Sequence, residues 1–321
     1  MSKAKATAKA TAKAAVTNAA SASATDPDFL HNLGYCYFYG KGVVENKELA
    51  IKFFQQAVDQ GHATSQYNLG ACYLTGVGVK KKEERAVELF ELAAAQGDYD
   101  AQHALSSCFS LGIGVEKNDQ RSTELSLQAA IRGHANAQYN LGMYFLDGIG
   151  IAQDDAKAFK YLEQAANQKV KQAQYNLGYL LFTGRGAQKD TKRAIELFHL
   201  AADQGHARSQ YVLSQFIFYG EGVQQNTEIA YQYCKSAVKQ GFEGAHNFLV
   251  IIKADLEPRK CAQCNAANPT KKCASCKIAW YCSTECQRVH WKSVHKQECK
   301  ELKAEFEEVK RSVFASISQD R

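Results

Sequence analysis

The stretch AQYNLGMYFLDGIGIAQDDAKAFKYLEQAA, residues 137–166, decides the fold. It reads as a helix, a turn at Gly148 and Gly150, and a second helix with apolar residues at helical spacing. The same pattern recurs along the chain. Leu33, Leu69, Leu105, Leu141, Leu177 and Leu213 stand 36 residues apart, and Leu249 continues the series. Glycine pairs keep that step: Gly40/Gly42, Gly76/Gly78, Gly112/Gly114, Gly148/Gly150, Gly184/Gly186 and Gly220/Gly222. A fixed period of this length signals a solenoid. In the second unit, SQYNLGACYLTGVGV (65–79) is a first helix with its turn, and ERAVELFELAAAQG (84–97) is a second helix with a glycine stop. Gly61, Gly97, Gly133, Gly205 and Gly241 hold that stop. Lys169 stands there in the fourth unit, whose helix is therefore expected to end differently.

Small residues recur inside both helices. Gly34, Gly70, Ser106, Gly142, Gly178 and Ser214 share one column; Ala57, Ala93, Ala129, Ala165, Ala201 and Ala237 share another. A glycine inside a helix costs about 1 kcal/mol against alanine. Its recurrence points to close helix–helix approach. One hairpin cannot bury its own apolar face, whereas stacked hairpins can.

Cys36, Cys72 and Cys108 lie in a column held elsewhere by Tyr144, Leu180 and Phe216. Cys234 lies in one held by Phe54, Phe90, Leu162 and Phe198. Both columns are apolar, so these four read as buried thiols acting as small hydrophobes. His62, His134 and His206 follow the glycine stop on separate units, too far apart to share a metal, and read as solvent-facing turn residues.

Period, glycine pairs and alanine columns together resemble Sel1-like repeats, relatives of the tetratricopeptide family. The resemblance covers six full units and the first helix of a seventh, within residues 26–257. It implies an all-α, right-handed α-solenoid of helical hairpins that offers a concave face to protein partners. It brings no catalytic residues.

A second signal follows the array. Residues 261–299 read CAQCNAANPTKKCASCKIAWYCSTECQRVHWKSVHKQEC and hold seven of the chain's eleven cysteines. The pairs are Cys261/Cys264, Cys273/Cys276 and Cys282/Cys286, closed by His295 and Cys299. Eight such donors suit two closed tetrahedral zinc sites. Cys286-x3-His290 is also a plausible spacing, so His290 could stand in for His295. A disulfide cluster would need an oxidising compartment and usually an even cysteine count. Iron–sulfur ligation usually needs cysteines alone.

These residues, with Tyr281, Ser283, Gln287, Trp291 and Lys296, resemble the MYND zinc finger. The resemblance implies crossed ligand sets: Cys261, Cys264, Cys282 and Cys286 on one ion, and Cys273, Cys276, His295 and Cys299 on the other. It also implies a protein-binding module, often for proline-containing peptides, with Gln287 and Trp291 in the peptide groove. Packing against the zinc sites is the other reading of Trp291. Two positions depart from the family pattern: Ala274 replaces a small polar residue, and the gap from Trp291 to His295 is one residue longer.

The 321 residues divide into a 1–25 tail, the 26–257 array, the 258–300 finger and a 301–321 helix. The tail is nearly all Ala, Lys, Thr and Ser, and reads as unable to order itself. It shows neither the apolar stretch of a signal peptide nor the arginines of a mitochondrial presequence. No apolar run approaches the roughly eighteen residues of a membrane span. Pro258 ends the array, leaving little linker before the finger. Leu302, Phe306, Val309 and Val313 mark the last helix as amphipathic, either covering the finger or the last repeat or meeting a partner. The net charge of +6 is unevenly placed, with nine Lys and Arg against two acids in residues 258–300. Scattered lysines without a recognition helix do not point to nucleic acid. No glycine-rich cofactor loop or nucleophile constellation is present. The chain therefore reads as a zinc-binding, non-enzymatic scaffold for protein or peptide partners in cytoplasm and/or nucleus. The competing reading is a nucleic-acid-associated transcriptional regulator using the basic tail and finger.

Overall fold

The computed structural model describes residues 26–256, with Lys271–Lys272, Trp280–Tyr281, Thr284, Gln287, Cys299, Ala304, Glu308, Arg311 and Phe314. Six hairpins open the described chain: α1 Pro27–Tyr39 with α2 Lys47–Val58, α3 Ala63–Thr75 with α4 Glu83–Ala95, α5 Tyr99–Leu111 with α6 Asp119–Ile131, α7 Ala135–Asp147 with α8 Asp155–Asn167, α9 Lys171–Thr183 with α10 Thr191–Asp203, and α11 Ala207–Tyr219 with α12 Thr227–Lys239. The lone first helix of a seventh unit, α13 Gly244–Leu256, follows. Two short antiparallel strands come next, β1 Lys271–Lys272 and β2 Trp280–Tyr281, with Lys271 opposite Tyr281. The chain divides into two units, Met1–Gln168 with α1–α8 and Lys169–Arg321 with α9–α13. Within each unit, every odd-numbered helix packs on the even-numbered helix after it, and that helix packs on the next odd one. This is the all-α stacking of hairpins expected of a solenoid.

The turns explain the fixed period. Gly40, Gly76, Gly112, Gly148, Gly184 and Gly220 cap the odd-numbered helices at φ between 64° and 76°, a region nearly closed to other residues. Each loop is then pinned back. The amides of Asn46, Lys82, Asn118, Asp154, Asp190 and Asn226 donate to carbonyls nine residues earlier at 2.9–3.1 Å. Five of these six residues also accept an amide of the following helix with their own side chain, a cap of about 1 kcal/mol. Lys82 makes no such cap.

The fourth repeat does not end its helix differently. Lys169 takes the glycine's place at φ 65°, unlike every other non-glycine among the described residues. The conformation costs a non-glycine residue roughly 1–2 kcal/mol. The turn's geometry therefore overrides the local residue preference. Val170 next to it begins α9 without a side-chain cap.

Size matching builds the core. A Cβ on Gly34, Gly70 or Gly178 would lie 2.7–2.8 Å from the ring of Phe54, Phe90 or Phe198, and one on Gly142 would lie 2.7 Å from Leu162. Where the odd helix carries serine, the facing residue is small. Ser106 meets Ser126 at 2.6 Å between hydroxyls, and Ser214 stands beside Cys234, whose thiol donates to the Ala245 carbonyl at 3.3 Å. The alanine column from Ala57 to Ala237 and Leu69, Leu105, Leu141, Leu177 and Leu213 are buried. So are Cys72, Cys108 and Cys234, whose thiols burial pushes up to about 11; Cys36 is half-buried.

A set of glutamine pairs not visible in the apolar pattern ties the end of a repeat's second helix to the start of its first. Gln96, Gln168, Gln204 and Gln240 donate side-chain amides to Gln66, Gln138, Gln174 and Gln210 at 2.7–2.8 Å. Arg132 occupies the donor position in the third repeat and bonds the Gly97 carbonyl instead. That leaves the buried Gln102 Oε1 without a partner.

Candidate interaction surfaces

The unit-start histidines are not solvent-facing turn residues. His62, His134 and His206 cap α3, α7 and α11, with Nδ1 accepting the amides of Ser65, Ala137 and Ser209 at 3.0–3.3 Å. The side chains of His62 and His134 are only 17% and 13% exposed. Each ring is covered by an aromatic ring of the preceding odd helix: His31 at 4.9 Å, His103 at 4.6 Å and Tyr175 at 5.1 Å between centroids. Asp28 and Asp100 face the Nε2 atoms of His62 and His134 at 3.1 and 3.2 Å. Among the described residues, no group of three or more His, Cys, Asp or Glu could hold a metal ion.

An Nδ1 that accepts a hydrogen bond must be unprotonated, and burial acts the same way. Burial lowers His31 and His134, and holds His103 and His206 down to about 4; charge from His134 adds to the effect at His103, and from Lys171 and Arg208 at His206. Below a pH of about 6.5 the unfolded chain therefore takes up protons that the folded chain refuses. Stability is expected to fall as pH drops from 6.5 toward 4 and to be flat from 6.5 to about 8, below the range in which the buried thiols matter. The slope is at most about 1.4 kcal/mol per pH unit for each fully differing histidine, less where solvent screens the ring. Melting temperatures by circular dichroism at pH 7.5 and 4.5 test this. Equal values would refute it, and His103→Gln should flatten the profile.

An aromatic cleft of about 230 Å³ opens between α1 and α3. Phe38, Phe54 and Cys72 line it with the half-exposed Tyr35 and Tyr39 and with Thr75. The Lys41 ammonium stands 4.6 Å from the Tyr35 ring centre and donates to the Tyr35 hydroxyl at 3.1 Å. Lys47 lies 3.9 Å over Phe38 and pairs with Glu45 at 3.3 Å. The second unit has an aromatic cluster between α9 and α11. There Phe314 packs 4.9 Å from Phe216, 6.0 Å from Tyr219 and 6.1 Å from Phe182. Ala304, Glu308 and Arg311 are helical and exposed, at helical spacing with the half-buried Phe314. Leu302, Phe306, Val309 and Val313 lie outside the described residues.

Of the proposed zinc ligands, Cys299 is helical and buried. Cys261, Cys264, Cys273, Cys276, Cys282, Cys286 and His295 lie outside the described residues, as do the alternative His290 and the groove residue Trp291. Gln287 is helical and half-buried. The paired strands flank residues 273–279, which include Cys273 and Cys276, and Tyr281 directly precedes Cys282.

Stacked helical hairpins of fixed period define a helical-repeat protein. Sel1 repeat models match residues 27–62, 63–98, 100–134, 135–170, 171–206 and 207–242, and a MYND finger model matches 261–299. The chain belongs to the Sel1 repeat family. It is similar to the crystal structure of c5321, a protective antigen of uropathogenic Escherichia coli with an SLR fold, at 33% identity and TM-score 0.64. That match covers 72% of this chain and 50% of the antigen. A Sel1 repeat protein from Oxalobacter formigenes matches at 28% identity and TM-score 0.62, over 66% of this chain and 85% of that one. Among curated proteins, the histone-lysine N-methyltransferase ASHR1 of Arabidopsis thaliana is 38% identical over 58 residues, 18% of this chain and 12% of that protein. Ubiquitin carboxyl-terminal hydrolase 19 of the same plant is 44% identical over 62 residues, 19% of this chain and 8% of the hydrolase. The chain thus spans about a tenth of the length of these two relatives. No helix among the described residues is long and apolar enough to cross a membrane.

Proposed function

We propose that the chain is a non-catalytic adaptor, in which the Sel1 array holds one protein and the finger recruits another through a short peptide. The observation that carries this reading is the joining of the two modules in one chain, with the array matched over residues 27–242 and the finger over 261–299. The histidine caps and glutamine pairs of the array support it, since they commit those polar side chains to the fold. The finger's donor set suits zinc. All its proposed ligands are thiols or imidazole, and Cys299 is buried on a helix, as a closed structural site requires. Two ions are assigned: one to Cys261, Cys264, Cys282 and Cys286, the other to Cys273, Cys276, His295 and Cys299. Zinc in such a site supplies folding free energy to a segment too short for a core of its own. Gln287 and Trp291 are assigned to the peptide groove. The unoxidised thiols of Cys36, Cys72, Cys108 and Cys234 in the array suit a reducing compartment, the cytoplasm or nucleus.

Affinity purification of the intact chain and of Trp291→Ala, at matched zinc content, tests the adaptor reading. Loss of a defined subset of partners on Trp291→Ala is expected, with the remainder retained by the array. An unchanged partner list would remove recruitment from the finger. An intact chain that retains no partner at all would overturn the adaptor.

A further inference from the structure

We propose that the cleft between α1 and α3 is a socket for one aromatic side chain, presented on a helical segment of another protein with a carboxylate beside it. The proposal rests on the adaptor reading and specifies what the array holds. Its basis is an internal precedent. Four periods of 36 residues carry Phe38, Cys72 and Thr75 onto Phe182, Phe216 and Tyr219. Those three residues contact Phe314, an aromatic side chain on a helical residue. The same register between two odd helices therefore already accepts a phenylalanine in this molecule.

In the first unit the register is open. Cys72 and Thr75 are small where Phe216 and Tyr219 are large, and the space left is about 230 Å³. That lies below the roughly 300–1,000 Å³ of small-molecule sites, so a single side chain fits better than a cofactor. The walls are chemically suited to it, with Phe38 and Phe54 inside and Tyr35 and Tyr39 at the edge, 37% and 55% exposed. Tyrosines of this kind supply large contact area with few rotatable bonds to immobilise.

Charge selects the neighbour of the aromatic. Lys47 is already paired with Glu45, whereas Lys41 meets only the Tyr35 and Tyr39 side chains and no carboxylate among the described residues. An exposed ammonium held at the rim by a tyrosine hydroxyl favours an acidic residue there, and disfavours a basic one.

The test is selection of a displayed library of random twelve-residue peptides against the intact chain, followed by anisotropy titration of the enriched sequences. Enriched peptides are expected to share one aromatic residue with Asp or Glu within a helical turn. They should bind Tyr39→Ala at least tenfold more weakly. Lys41→Glu should weaken them as well, and peptides with Lys in place of the acid should recover on that variant. Both substitutions are at exposed positions, and an unchanged circular dichroism melt confirms folding. Enrichment of no peptide, or only of peptides indifferent to Tyr39→Ala, would overturn the socket. So would sedimentation showing a self-association that Tyr39→Ala abolishes, because the occupant would then be a second copy. Retention of partners by Tyr39→Ala in affinity purification would leave the adaptor standing while the socket falls.

Discussion

Phe90→Ala is expected to cost the array about 3–5 kcal/mol, the usual range for removing a buried aromatic ring from a core that cannot collapse onto the gap. Phe90 is 1% exposed and packs with Ala86, Val87, Leu105, Cys108 and Leu125, so its ring joins two consecutive repeats. Its other face fills the space that Gly70 leaves, within 2.7 Å of where a Cβ would stand. Urea unfolding followed by circular dichroism measures the loss. A companion variant tests the cause. Gly70→Ala alone should destabilise by about 1–3 kcal/mol through overpacking, despite alanine's better helix propensity. In the Phe90→Ala background that penalty should vanish or reverse. Additivity within about 0.5 kcal/mol would mean that the ring and the glycine are not coupled.

Metal removal should give the other large effect, confined to the finger. Structural zinc contributes an apparent ~10–16 kcal/mol in isolated fingers at neutral pH, far more than a segment of this size can replace. The sequence supplies a clean reporter. Both tryptophans, Trp280 and Trp291, lie within residues 261–299, so tryptophan emission reads the finger without interference from the array. A strong chelator, or Cys282→Ser, is expected to red-shift and weaken that emission while the helical signal of residues 27–256 persists. Metal analysis should give two zinc ions per chain before treatment. Unchanged emission after complete metal loss would show that the finger's fold does not need zinc. A stoichiometry of one would refute the crossed two-ion assignment.

The architecture was legible because the repeat is written in backbone chemistry. A glycine pair every 36 residues marks positions with φ above zero, and the structure uses them that way in all six hairpins. The mid-helix glycines correctly signalled close approach, since a phenylalanine ring or, at Gly142, Leu162 of the next helix fills the space beside each. Lys169 misled because residue type is a weak guide where stacking dictates the turn. The histidine column misled because an imidazole after a glycine looks like a loop residue until the ring above it is placed. His31 and His103 sit 31 residues upstream of His62 and His134, a separation that no local pattern reveals. The α1/α3 cleft was illegible for a related reason. It arises from missing bulk at Cys72 and Thr75 beside Tyr35 and Tyr39, and an absence on one helix acquires meaning only when a second helix lies against it. Phe314 likewise stands one position past the apolar stripe read in the last helix.

The size matching across each hairpin also limits how such an array can grow or be rebuilt. Glycine faces phenylalanine or leucine, and serine faces serine or cysteine, so the two helices of a repeat carry complementary halves of one fit. A recombination joint between them could set Ser106 against a phenylalanine, or Gly70 against Ser126, giving a clash or a void. A joint after the second helix keeps each fit whole. The heritable building block of this chain is therefore the complete hairpin, and chimaeras or consensus arrays cut at Gly61, Gly97, Gly133 or Gly205 should retain cores that those cut at the Gly-x-Gly turn would lose.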